Sequence, residues 1–313
     1  MNDTSAPTET PKGIASDTMP SRGYQESKWY PYTLIAPTML TLVIVALLPF
    51  LYMGWISLHE ARYGQVGEFN GFANYAKLLT DPRFWNSIKV AGLFVAIAVP
   101  IEFMLGLIGA LVLSQKIKGR RILLPFLFIP SMMAPIIVGL VWKTMLAGSW
   151  GFVSYNIFER FGIFSGTSIF GSPDFAFYGI VFVDIWNWTP FMMLTFFAGM
   201  QALPANPFWA AQVDGANPAQ IFFKLTLPML SPLLFVIGLL RIIDAFKIYD
   251  TIYILTNGGP GITTESPSIL GYKYTFDFWE IGTASALAVV IWLVFFIFCN
   301  LFYQVAKRRL NVF

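Results

Sequence analysis

Among the ionisable side chains within long apolar runs of this sequence, Glu102, Asp184, Arg241, Asp244, Lys247 and Asp250 are the candidates for chemistry. A charge in such a setting is costly, so it faces a cavity or a partner group. Arg241, Asp244 and Ile248 recur at i, i+3 and i+7, which places them on one face of a helix. Asp184, Asn187, Trp188 and Phe191 form a second such face. Together they offer carboxylates, an amide and a guanidinium to hydroxyl groups, and flat rings to the C–H face of a saturated ring. That is binding chemistry for a polyol. The other reading is that Arg241 and Asp244 pair as i, i+3 neighbours and only hold helices together. Glu102, on a separate run, reads as structural.

Reaction chemistry is poorly supplied. His59 is the one histidine and Cys299 the one cysteine, so a histidine-based zinc site, a Ser-His-Asp triad and a Cys-His pair each lack partners. No GxxxxGK[ST] motif is present to cradle nucleotide phosphates, and the glycine-rich Gly258-Gly259-Pro260-Gly261 carries no lysine. His59, just past the first apolar run, reads as an interfacial residue. Cys299 reads as a small apolar packing residue.

The elements that must position these residues are membrane helices. Hydrophobic residues make up 56% of the 313-residue chain and charged residues 12%, with a mean hydropathy of +0.64. The charged share is about half that of a soluble protein. Six runs reach the roughly 20 residues needed to cross a bilayer: Tyr32–Ile56, Ile88–Leu113, Ile122–Leu146, Phe177–Met200, Met229–Leu255 and Thr283–Val305. Prolines inside them are compatible with membrane helices, where neighbours re-satisfy the backbone. An all-α membrane fold is therefore expected. Arg241 lies roughly 20 Å along a helix from Pro228, near the membrane midplane.

Lysine and arginine set the expected orientation. The cluster Lys116–Arg121 and the terminal Lys307-Arg308-Arg309 place both termini in the cytoplasm. Residues 1–28 are rich in Ser, Thr and Pro without an apolar core, and read as a disordered cytoplasmic tail ahead of a membrane domain at 29–313. The net charge of +3 reflects this topology and is no sign of nucleic-acid binding.

The same orientation puts residues 201–228 in the cytoplasm. Within them, Asn206-Pro207 reads as a helix start with Asn as N-cap, Asp214-Gly215 as its stop, and Asn217-Pro218 as a second start. The expected shape is an L of two short helices with a small, flat Ala210-Ala211 face. The run WAAQVDGANPAQIFFKLTLP (Trp209 to Pro228) resembles the "EAA" loop of binding-protein-dependent ABC importer permeases, their sugar branch in particular. One departure is plain: Trp209 stands where that family has Glu. Further matches follow in order. Gly71-Phe72-Ala73-Asn74-Tyr75 resembles the family's outer segment after the first span. IYILTNGGPG (Ile252 to Gly261) resembles the exit from the fifth span, and GTASALAVV (Gly282 to Val290) the start of the sixth. Small residues in the last run suit close helix packing.

The resemblance implies the maltose-type permease fold and half of a translocation path for a sugar or related polyol, in a bacterial inner membrane. It implies three kinds of partner: a second homologous permease, a dimer of ATP-binding cassette subunits, and an extracytoplasmic solute-binding protein. ATP and Mg are then held by the ATPase subunits, and this chain needs no cofactor and is no enzyme. Trp209, Ala210, Ala211, Asp214, Gly215 and Ala216 become the residues that couple to the ATPase. Asp184, Asn187, Trp188, Phe191, Arg241, Asp244 and Ile248 become the substrate path. A stand-alone ion-coupled carrier or a membrane-embedded enzyme is the alternative. The missing nucleophile–base pair disfavours the enzyme.

Overall fold

The computed structural model describes residues 30–115, 117–148, 150–160 and 168–310; the tail expected at 1–28 lies outside them. By its contacts the chain divides into residues 1–51 and 52–313. The described part of the first unit is helical throughout. The second carries everything considered below.

Among the described residues, five helices are long and apolar enough to cross a membrane: Tyr32–Ile56 (α1), Pro82–Ser114 (α3), Ala176–Gln201 (α6), the stretch Pro218–Leu255 and Ile281–Gln304. The last lies within a helix that runs Ile281–Leu310 (α12). The third predicted span is different in kind. It consists of Arg120–Met132 (α4) and Pro135–Met145 (α5), bent by 91°. Pro135 explains the break. It pushes Ala134 into extended backbone, and Met133 is extended as well (φ −78°, ψ 139°).

The membrane part is all-helical, as expected, and one short sheet is added to it. His59–Arg62 (β1) and Gln65–Phe69 (β2) pair antiparallel. Tyr63 and Gly64 join them, both at positive φ (50° and 77°), the mark of a tight two-residue hairpin turn. Ala73–Thr80 (α2) follows. Asn74 Nδ2 ties it back by donating to the carbonyls of Ser57 (2.8 Å) and His59 (2.9 Å).

The core is built around α3 and α6, which pack along most of their length. Gly106 makes this possible: a Cβ there would meet Met192 Cβ at 2.6 Å. Close helix approach through small residues is what holds membrane helices together, since lipid offers no hydrophobic incentive. One buried cluster (Phe94, Ala98, Val138, Ile180, Val183, Ile252) fills the centre, and another (Ala110, Leu113, Met192, Phe196) lies further along the same helix pair.

A charged network closes the end of the fold near the start of α3. Glu265 is fully buried. Its carboxylate accepts from Arg83 Nε (2.8 Å) and Nη2 (2.7 Å) and from Lys273 Nζ (2.7 Å). Asp81 caps α3 by accepting from the Arg83 backbone N–H (2.8 Å), and takes a 2.5 Å bond from the Tyr274 hydroxyl. Burial first, and then that bond to Asp81, hold the Tyr274 phenol above its ordinary range. Glu265→Ala removes the shared acceptor and leaves two cations facing each other. It should cost about 3 kcal/mol and lower the thermal midpoint in detergent. Glu265→Gln, which keeps the shape, should lose less.

Candidate substrate cavity and coupling segment

Arg241 sits on Leu227–Phe246 (α9), with 2% of its side chain exposed. Its guanidinium is surrounded by carboxylates. Nε donates to Glu102 Oε2 at 2.7 Å, and Nη2 donates to Glu102 Oε1 at 2.9 Å. Nη2 also donates to Asp184, and Nη1 donates to Asp244 Oδ2 at 3.0 Å. Four of the five guanidinium N–H groups are thereby engaged. The Trp188 ring covers the group, its centroid 4.5 Å from Arg241 Cζ. Glu102 comes from α3, Asp184 and Trp188 from α6, so one guanidinium ties three helices together. Glu102 lies one turn before Gly106 on the same helix face, where α3 and α6 approach most closely.

A cavity of about 130 Å³ opens beside this network, lined by Asp184, Trp188, Arg241, Asp244, Lys247 and Ile248, with Tyr249 and Asp250 further along its wall. A second, of about 330 Å³, shares Trp188, Arg241, Asp244 and Lys247 with it and adds Phe191 and Leu240. Six of the seven path residues expected from sequence thus converge. Asn187 does not. It is buried, and its backbone carbonyl accepts from Ser131 Oγ at 2.5 Å. Ser131 in turn accepts from the Phe191 N–H at 3.2 Å. The Ser131 hydroxyl of α4 is thus inserted into the α6 ladder between residues 187 and 191, one known cause of local helix distortion.

Both readings of Arg241 meet here. The i, i+3 pair with Asp244 exists, and Arg241 also borders the cavity. Glu102, read as structural, is the innermost anchor of the group. The Asp244 side chain is half exposed.

The cavity lies where the fifth predicted span breaks. Helix α9 stops at Phe246, and a separate helix, Asp250–Leu255 (α10), begins after three intervening residues. The carbonyls freed by the break are satisfied from elsewhere. Ser268 Oγ donates to Lys247 O (3.0 Å) and Ser266 Oγ to Ile248 O (2.9 Å). Irregular backbone at membrane depth is tolerated where it is buried in protein or lines a cavity. No proline or glycine announces this break, so periodicity alone carried the predicted helix through it. Lys247 and Asp250 stood out as charges within a span, whereas Tyr249 and Thr251 gave no sign.

The segment expected to couple forms as two short helices, Asn206–Val213 (α7) and Pro218–Ile221 (α8). Its stop is as expected. Gly215 has φ +74°, its N–H donates to Gln212 O (3.1 Å), and the Ala216 N–H donates to Ala211 O (2.9 Å). Its second start is a full capping box between Asn217 and Gln220. Its first start is corrected. Ala205 is already in the right-handed helical region, so Asn206 lies inside the first turn and caps nothing. Trp209 and Val213, one helical turn apart, are 63% and 88% exposed, an apolar pair on the surface of the segment. Trp209 also borders a cavity of about 310 Å³ with Ser114, Met200 and Phe208.

Residues 102–312 match the family model described as "Binding-protein-dependent transport system inner membrane component". The chain belongs to this family. Curated relatives of this inner-membrane family agree. The "Trehalose/maltose transport system permease protein MalF" of Thermococcus litoralis is 36% identical over 91% of this chain and 96% of its own length. The "Trehalose transport system permease protein SugA" of Mycobacterium tuberculosis is 32% identical, covering 87% of this chain and 88% of its own. The "Sulfoquinovosyl glycerol transport system permease protein SmoG" of Agrobacterium fabrum is 33% identical, covering 82% and 84%. Among solved structures, a chain of a bacterial ABC transporter "involved in the import of the acidic polysaccharide alginate" superimposes with a TM-score of 0.78. It is 18% identical and is covered to 96%, against 90% of this chain. That likeness establishes the fold of an inner-membrane transport component.

In this family member, removing Glu102 takes away two of the four hydrogen bonds that hold the buried Arg241 guanidinium. Glu102→Ala should cost about 3–5 kcal/mol and sharply lower the thermal midpoint in detergent. Asp244→Asn, at a half-exposed position, should cost less than about 1 kcal/mol.

Proposed function

We propose that the chain is the permease subunit of a bacterial ABC importer and forms half of the path for a neutral sugar or polyol. It pairs with a second, homologous permease. Two ATPase subunits hold ATP and Mg, and an extracytoplasmic solute-binding protein delivers the sugar. Both termini and residues 201–228 face the cytoplasm, as the basic clusters suggest. The single observation that carries the substrate reading is the pair of adjoining cavities at the α9–α10 break, whose linings together include Trp188 and Phe191 and the carboxylates Asp184, Asp244 and Asp250. Sugar-type relatives support the same class.

The charge arrangement favours a neutral solute over an anionic one. Arg241 is already opposed by three carboxylates and shielded by Trp188, so little of its charge is free for a phosphate or sulfonate. Its task is to hold three helices around the cavity. The half-exposed Asp244 and the rim residue Asp250 accept hydrogen bonds from sugar hydroxyls, while Trp188 and Phe191 take the C–H faces.

Coupling follows from the shape of residues 206–221. ATP closes the ATPase dimer, the groove that receives Ala210 to Ala216 moves, and α7 and α8 carry that motion into α6 and α9. The exposed Trp209 and Val213 supply apolar contact in the groove where a Glu is usual. In proteoliposomes holding the full complex, trehalose or maltose should enter only with ATP and the binding protein. Phosphorylated or sulfonated counterparts should enter at least tenfold more slowly. Gly215→Pro should abolish uptake and stimulated ATP hydrolysis while leaving binding-protein affinity for sugar intact. Uptake by this chain alone would contradict the reading.

A further inference from the structure

Four aromatic rings cluster beside the cavity: Tyr249, Tyr253 and Tyr272 all touch one another, with Tyr249 and Tyr272 centroids 5.8 Å apart, and Phe276 extends the cluster from Tyr272. Tyr249 lines the cavity itself. It stacks on Tyr253, centroids 5.3 Å apart and planes 20° off parallel. Tyr253 meets Tyr272 edge-on at 5.3 Å, and Tyr272 meets Phe276 at 5.0 Å. Tyr249 and Tyr253 rest one side on the central core, whereas Phe276 is 57% exposed. The series therefore leads from a half-open wall to the surface. It is built from two separate segments, α10 and the stretch from Pro267–Tyr272 (α11) into the turn after it.

Polar groups accompany the rings. The neighbouring Tyr253 hydroxyl, and to a smaller extent Asp277, push the Tyr272 phenol up to about 12. Asp250 stands at the cavity end of the series, and Asp277 is exposed beside the Phe276 end. An aromatic belt at a membrane interface also exposes Tyr and Phe, but its rings face lipid. Carboxylates flanking the rings at both ends argue against a lipid-facing surface. Rings with acceptors beside them are what a pyranose requires: a flat face for its C–H groups and oxygens for its hydroxyls.

We infer that Tyr249, Tyr253, Tyr272 and Phe276 form an outer sugar-binding track, over which pyranose rings pass from the outer surface to the cavity beside Trp188 and Asp244. This rests on the sugar-importer reading and adds to it a separate low-affinity subsite on α10 and α11. Because successive rings replace one another as partners, the track favours di- and oligosaccharides, which touch more than one ring at once.

The test uses the full complex in proteoliposomes, with radiolabelled trehalose and maltose as probes. Uptake is measured together with ATP hydrolysis stimulated by the sugar-loaded binding protein. Tyr253→Leu, Tyr272→Leu and Phe276→Ala should each slow uptake roughly threefold to tenfold, the worth of one ring contact. Stimulated ATP hydrolysis should stay within about twofold of wild type, because neither docking nor coupling is touched. Tyr253→Phe, which keeps the ring, should restore most of the uptake. Wild-type uptake in all three variants overturns the track and leaves the importer reading standing. A parallel fall in uptake and stimulated hydrolysis also overturns it, since the rings then serve binding-protein docking or folding. A wild-type complex that imports neither sugar overturns the reading beneath.

Discussion

A single buried guanidinium organises the centre of this molecule. Arg241 joins α3 through Glu102, α6 through Asp184 and Trp188, and its own helix through Asp244. In a low-dielectric interior such a group is tolerable only when fully paired, and removing one partner costs far more than the pair contributes net. The network therefore acts as a constraint: it fixes where three helices cross, and so where the space between them opens. The cavities at Trp188 and Asp244 exist because the helices cannot close over a charge cluster as they close over Gly106 and Met192. Polarity and free volume share one cause.

The helix break after Phe246 depends on the same arrangement. Residues 247–249 leave the helix beside the network, and Ser266 and Ser268 capture the released carbonyls. Those serines sit just after Glu265, which Arg83 and Lys273 hold in place. Two ion networks, one central and one at the end of the fold near the start of α3, thus bracket the broken segment and set both of its ends. A discontinuous helix is a recurring device at transport sites, because it exposes backbone and side-chain polarity without an open edge.

Much of this was legible in the sequence. Apolar run length located the membrane helices, and charges within those runs located Arg241, Asp244 and Asp184, because few other reasons place such groups there. The Asp214-Gly215 stop and the Asn217 cap were readable because each rests on local chemistry. What escaped was non-local. Glu102 could be flagged as an intramembrane carboxylate, but nothing in its neighbourhood says that it meets Arg241 across 139 positions of chain. Asn187 fell on the predicted face, yet its side chain lines neither cavity; Oδ1 is buried without a hydrogen-bond partner among the described residues, and only its backbone carbonyl meets Ser131 of α4. The 91° bend at Met133-Ala134 was hidden because prolines are common in membrane helices, and the 247–249 break because no proline or glycine marks it. The Asn206 cap failed for the opposite reason: the motif was present, but the preceding backbone was already helical.

The central claim is that the space beside Trp188 and Asp244 carries the sugar while Arg241 holds its walls. Site-directed modification tests this most directly. With Cys299→Ser to remove the one native thiol, Asp244→Cys is introduced into the full complex, and its labelling by a water-soluble methanethiosulfonate is followed during turnover. The account predicts that labelling blocks uptake and that transported trehalose or maltose slows labelling severalfold. Labelling that proceeds at the same rate with and without sugar, and that leaves uptake intact, would contradict it.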